Sequence, residues 1–220
     1  MCRFCFNFTD GFQRCYACTR CEQWLAAMAP ISYCVAGSQL HHVLAYYKRF
    51  RGGVADRLAS QLAAVLRRYV AEHELCLARR AGVASFPLVA TVPSGERTRD
   101  EHHPLRRIVE SMGAVTRGRH ERLLTRTAVP GRPHLFDPER YAAAREIYEE
   151  PVLLIDDTWT TGASAQSAAA ALKRAGAGPV AALVIGRYVS GDWHHNASQI
   201  RAIRRSFDWS SCAWHEGSPS

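Results

Sequence analysis

Short continuous apolar runs alternate along the chain with stretches whose apolar residues recur at helical spacing. Ile31 to Ala36, Phe86 to Val92, Val152 to Ile155 and Val180 to Ile185 have the pattern of strands buried on both faces. Between them, Leu58, Leu62, Val65, Leu66, Tyr69 and Val70 predict a long amphipathic helix starting near Val54. Gly37 opens a helical pattern to about Phe50, which Arg51-Gly52-Gly53 breaks. Pro104 suits the first turn of a helix through Met112. Gly162 to Ala175 reads as a further helix, closed by the turn Gly176-Ala177-Gly178-Pro179. A helix is also expected over Glu139 to Tyr148, and a hinge at Met28-Ala29-Pro30. Residues 113 to 138 read as irregular, with a short apolar piece at Leu123-Leu124. Strands alternating with helices predict an α/β domain over residues 31–195, a parallel sheet with helices on both faces. Residues 1–30 form a separate cysteine-rich module, and 196–220 a less regular segment ending in a disordered tail from Glu216.

Composition fits that picture and narrows it. A chain of 220 residues with 47% hydrophobic content can bury one full core plus a small module. Its apolar runs are too short to span a bilayer, so no membrane insertion is expected. The opening Met1-Cys2-Arg3-Phe4-Cys5 has no signal-peptide pattern, which points to the cytoplasm. A net charge of +8, mostly from arginine, favours anionic partners: phosphorylated metabolites or nucleic acid, single strands included. No Gly-x-x-x-x-Gly-Lys-Ser/Thr loop occurs, which excludes an ordinary P-loop ATPase. Gly162-Ala163-Ser164-Ala165-Gln166 lacks the closing glycine of a nucleophile elbow, which excludes that class of hydrolase.

The densest chemistry lies in Pro151 to Ser164, PVLLIDDTWTTGAS. An apolar run ends in Asp156 and Asp157, and a helix is expected to start near Gly162. Ligands of open parallel sheets sit beyond the carboxyl ends of the strands. A helix start there offers unpaired N–H groups and a positive dipole end to a phosphate. Thr160, Thr161 and Ser164 add hydroxyls, and Gly162 allows close backbone approach. Two carboxylates would repel that phosphate. As acceptors they suit the vicinal hydroxyls of a sugar, with a divalent cation nearby. The stretch describes a receptor for a 5-phosphorylated ribose.

Five of the eight cysteines fall within the first 21 residues. Cys2-x2-Cys5 and Cys15-x2-Cys18 are two knuckles with the spacing of a four-thiolate Zn2+ site of structural type. Cys21 forms a competing pair with Cys18 and is a substitute ligand. Cys212-x2-His215 also has ligand spacing, but no partner pair is visible along the sequence. Adjacent histidines point in different directions on a helix or strand, so the pairs His41-His42, His102-His103 and His194-His195 read as packing or solvated groups. Of these, His103 is the one to test. Arg187, just past a strand end, reads as a surface arginine or a ligand contact.

VLLIDDTWTTGAS resembles the phosphoribosyl pyrophosphate signature of type I phosphoribosyltransferases. The resemblance implies Asp156 and Asp157 on the ribose hydroxyls. It implies a phosphate loop of Thr158, Thr160, Thr161, Gly162, Ala163 and Ser164, with Trp159 where smaller residues are usual. Val92-Pro93-Ser94-Gly95 followed by Arg97 and Arg99 resembles the same family's pyrophosphate loop and lid. It implies diphosphate binding by the Ser94 and Gly95 amides with Arg97 or Arg99. A cysteine module ahead of such a domain resembles the competence-associated ComF-like family. Tyr46-Tyr47-Lys48-Arg49-Phe50-Arg51-Gly52 fits that family's lysine-containing segment. The lid here reads Glu96 to His103, where relatives carry an Arg-Gly-Phe-Asn-like stretch. The implied activity is transfer of phosphoribosyl from Mg2+–phosphoribosyl pyrophosphate to an acceptor, a glycosyltransferase reaction with Asp156 or Asp157 as catalytic proton acceptor. The alternative is a non-catalytic accessory protein of DNA uptake that binds single-stranded nucleic acid and retains the ribose-phosphate pocket.

Overall fold

A computed structural model describes residues 1–48, 52–94, 103–129, 132, 134–191, 196–203 and 206–214. In chain order its elements are α1 (Tyr16–Arg20), β1 (Ala27–Val35), α2 (Gln39–Tyr46), α3 (Gly53–Ala81), β2 (Leu88–Thr91) and α4 (Pro104–Ser111). A short 3-10 turn, Gly113–Val115, leads to β3 (Leu124–Arg126) and β4 (Tyr141–Ala143). The chain continues with β5 (Val152–Trp159), α5 (Ala163–Arg174), β6 (Val180–Val189) and α6 (Asn196–Ile203). The four long-range strands form one parallel sheet in the order β1-β6-β5-β2. The expected α/β architecture is therefore present. The proposed tail from Glu216 lies outside the described residues.

Side-chain alternation along the strands divides the core into two layers. Val152 and Leu154 face α5 with Leu88, Ala90, Val180, Ala182 and Val184. Leu153 and Ile155 face α3 and α4 with Val89, Ala181, Leu183 and Ile185. Burying each large aliphatic side chain stabilises the fold by roughly 1.5–3 kcal/mol. The small side chains Ala165, Ala168, Ala169 and Ala171 let α5 lie close to the sheet. The cysteine module packs on that same side. There the buried Gln166 amide oxygen accepts from the backbone N–H groups of Trp24 at 2.8 Å and Leu25 at 3.1 Å. Among the described residues, no helix is long and apolar enough to cross a membrane.

Three local expectations are corrected. Met28-Ala29-Pro30 is not a hinge: β1 runs through it in register with Ala182, Leu183 and Val184. Proline is tolerated because β1 is an edge strand and one of its backbone sides needs no ladder donor. Glu139 to Tyr148 is not a helix. Tyr141–Ala143 pairs antiparallel with Leu124–Arg126, because Tyr141 and Ile147 are the only apolar residues of that stretch that are buried, too few for a helical stripe. Finally, β5 does not end at the acids but continues to Trp159.

Candidate functional site: a cavity beyond two parallel strands

A cavity of about 220 Å³ opens where β2 and β5 end. It is lined by Lys48, Val92, Pro93, Ser94, His103, Pro104, Tyr141, Asp156, Asp157, Thr158 and Ser164. The strand alternation turns neighbouring acids to opposite faces of the sheet. Asp156 falls on the α5 side with Leu154, and Asp157 on the α2–α3 side with Ile155.

Asp157 is buried, and its Oδ2 accepts the Tyr47 hydroxyl and pairs with the Lys48 ammonium. Both come from the end of α2, which lies tight on the sheet at Gly186. A Cβ there would stand 2.7 Å from Leu44 Cδ1 and 2.9 Å from Cys34 Cβ, so any larger residue would push α2 outward. Burial opposes charge on Asp157. The Lys48 ammonium, its hydrogen bond, the Tyr47 hydroxyl and the His103 ring outweigh burial and hold the carboxyl below its usual value. The Lys48 side chain is 39% exposed while that of Asp157 is 5% exposed, so the cation reaches in from the cavity mouth. Asp156 lies on the opposite face of the strand from the Lys48 and Tyr47 contacts of Asp157. Burial first, and the Asp157 charge second, push it up to about 7. One of its oxygens accepts the Asp157 backbone N–H at 2.8 Å.

The loop into α5 is built around Trp159 and Gly162. Gly162 has φ +85°, and a Cβ on it would stand 2.2 Å from Trp159 Cζ2. Only glycine fits over that ring. Thr161 Oγ1 accepts the Ala163 N–H at 3.3 Å and donates to the His134 carbonyl at 3.2 Å. Thr158 and Ser164 line the cavity with the acids; Thr160, Thr161, Gly162 and Ala163 form the turn but do not line it. Ser94 lines the cavity, whereas Gly95, Arg97 and Arg99 lie outside the described residues. His103 is buried and lines the cavity as well; His102, His194 and His195 lie outside the described residues.

Two buried arginines, Arg140 and Arg187, support the loops beside the cavity. Arg140 donates to the Arg132 carbonyl at 2.8 Å, the Leu135 carbonyl at 2.6 Å and Ser164 Oγ at 3.3 Å. Its buried Nε has no hydrogen-bond partner among the described residues. No sequence signal marked it, since its stretch read as a helix. Arg187 is neither a surface residue nor a cavity-lining one: it is 3% exposed and absent from the lining. Its Nε donates to the Cys5 carbonyl at 2.8 Å, and Nη1 to the carbonyls of Trp159 and Thr160, each at 3.2 Å. It ties the cysteine module to the α5 loop. Lys48 did leave a trace. Among 28 basic residues only Lys48 and Lys173 are lysine, and a compact ammonium is not interchangeable with a guanidinium.

Cys2, Cys5, Cys15 and Cys18 are all buried, and their sulfurs lie within 4.8 Å of one another. The Cys5 and Cys15 sulfurs are 3.5 Å apart; tetrahedral thiolates around zinc, with bonds of about 2.3 Å, stand about 3.8 Å apart. Mutual hydrogen bonding splits the thiols. Contact with Cys15 lowers Cys2 and contact with Cys18 lowers Cys15, while contact with Cys15 raises Cys5 and Cys18. The donor set fits a metal such as zinc, and four thiolates leave no position open for catalysis. Cys21 stays outside the cluster, half-buried. No family model matches the chain, and no curated protein or solved structure is significantly similar to it.

Proposed function

We propose that the cavity binds a 5-phosphorylated ribose, and that the chain is a phosphoribosyltransferase-like protein with a type I fold. The observation that carries this reading is a single cavity joining both carboxylates, Thr158 and the α5 start at Ser164. The ribose hydroxyls face Asp156 and Asp157, and the 5-phosphate sits at the α5 N-terminus. Arg140, beside Ser164, adds positive charge there. At about 220 Å³ the cavity is smaller than the ~300–1,000 Å³ usual for small-molecule sites, so it suits the sugar phosphate, with diphosphate and acceptor beyond its mouth. The oxygens of Asp156, Thr158 and Ser94 are hard donors of the kind Mg2+ takes, and a bound Mg2+ would neutralise the departing diphosphate.

In the transfer, the C1–O bond to diphosphate breaks, its electron pair leaves with the diphosphate, and a bond forms from the acceptor to C1. The acceptor proton needs a base matched to neutral pH. Asp156, pushed up to about 7, suits that role. Asp157, held by Lys48 and Tyr47, suits positioning of the sugar. Isothermal titration of the full chain with phosphoribosyl pyrophosphate and Mg2+ tests the reading. The expected result is a saturable heat, abolished by the double substitution Asp156→Asn, Asp157→Asn. No heat with the wild type, together with single-strand binding that falls steeply with salt, would replace it with the nucleic-acid reading.

A further inference from the structure

A second group of metal-ligating side chains lies far from the N-terminal cysteines along the chain. Tyr69, His73 and Cys76 share one face of α3 by helical spacing. The segment after α6 lays Trp209, Cys212 and Trp214 against the core layer that α3 builds. His73, Cys76 and Cys212 each offer a ligand atom within 4.8 Å of the other two. The sequence showed Cys212-x2-His215 without a partner pair; the fold supplies His73-x2-Cys76, three residues apart on one helix. His215 lies outside the described residues, and the set stands on the other three.

The histidine is oriented for the task. His73 Nε2 stands 2.7 Å from the Trp209 carbonyl oxygen. A carbonyl only accepts, so Nε2 carries the proton and Nδ1 keeps the basic lone pair. Metal-bound histidines are held in this way, by donating the far ring N–H to a backbone carbonyl. One imidazole with two thiols selects a soft or borderline ion of the zinc class over Mg2+ or Ca2+.

We propose that His73, Cys76 and Cys212 bind a second zinc-class ion, which clamps the C-terminal segment onto α3. The clamp would fix the contacts around it. Arg68 lies over the Trp209 ring at 4.2 Å and Arg80 over the Trp214 ring at 4.6 Å. The Trp214 indole N–H donates to the Met28 carbonyl on edge strand β1 at 2.9 Å, and its ring meets Phe6 at 5.0 Å. Through Trp214 the second ion would brace the sheet edge and the cysteine module together.

Elemental mass spectrometry on full-length protein purified with zinc tests this. The wild type is expected to carry one zinc equivalent more than the four-cysteine cluster accounts for. Cys212→Ser and His73→Gln should each lose that equivalent and keep the other, while Cys15→Ser loses the other. Cys76→Ser, at a half-buried position, guards against misfolding: with an unchanged circular dichroism spectrum it should lower zinc content by the same amount. Cobalt substitution gives a second readout, a thiolate charge-transfer band reduced in part by Cys76→Ser. Wild-type zinc content in Cys212→Ser would overturn the proposal, as would a Cys76–Cys212 disulfide in the zinc-purified protein.

Discussion

The cysteine cluster and the carboxylate cavity are neighbours, yet they are assembled by opposite means. The cluster draws four thiols from Cys2 to Cys18, and short-range backbone bonds such as Cys2 N–H to the Asn7 carbonyl and Thr19 N–H to the Cys15 carbonyl shape its knuckles. The cavity draws on Lys48, Ser94, His103, Tyr141, Asp156 and Ser164, brought together only by the finished sheet. A metal can hold the first with little help from the core, whereas the second exists only if α2, β2, β4 and α5 have all docked. Arg187 is the contact that makes the two interdependent, since one guanidinium holds the Cys5 carbonyl and the loop carbonyls of Trp159 and Thr160.

The largest expected effect comes from removing the metal ligands. Structural zinc supplies on the order of 10 kcal/mol to small modules that depend on it. Cys15→Ser, or a strong chelator, should therefore unfold residues 1–25 while helical circular dichroism from the sheet domain persists. Sugar-phosphate binding should weaken as well, because Arg187 loses its Cys5 anchor. Unchanged ligand affinity after chelation would show the two regions to be independent, and the comparison would have to be redrawn.

A smaller effect is expected at the loop. Gly162→Ala places a side chain at φ +85° and against the Trp159 ring, which should destabilise the protein by about 1–3 kcal/mol. The same change in a Trp159→Leu background should cost less, because the steric part is relieved while the backbone part stays. Equal costs in both backgrounds, measured by urea denaturation, would mean that the ring does not shape the turn.

What could be read along the chain follows the same division. The four clustered cysteines were legible because their spacing is itself the geometry: two residues between thiols bring both sulfurs to one point. The acids and Ser164 were legible because a strand end, a turn and a helix start are adjacent in sequence. Lys48 and Tyr47 were visible only as a segment, because their partner Asp157 lies more than a hundred residues away. Arg140 was hidden by Tyr141-Ala142-Ala143-Ala144, whose composition favours a helix; pairing with β3 and burial of Tyr141 overrode that preference. Arg187 looked exposed because nothing in its neighbourhood reveals that the N-terminal module packs above it.

The smallest predicted effect separates the two acids. The folded Asp156 carboxyl sits at about 7, against an ordinary 3.8. Between those values the folded chain keeps a proton that the unfolded chain has released, so its contribution to stability is fully present below the lower value and is lost as pH rises through the upper one. Asp157 has the opposite sign: its folded value is lowered, so its contribution is present above the ordinary value and is lost on acidification. Of the two acids only Asp156 changes charge from about pH 5 to about pH 8, and its contribution to the melting temperature should fall across that range. Asp156 is half-buried, and water at the cavity mouth limits the loss to about 1–2 kcal/mol. Asp156→Asn should flatten that slope, because an amide has no proton to lose. Lys48→Met should steepen it, because the ammonium lowers Asp156 as well as Asp157. A slope that ignores both substitutions would place the titrating group elsewhere and leave Asp156 without the neutral-pH proton affinity that distinguishes it from its neighbour.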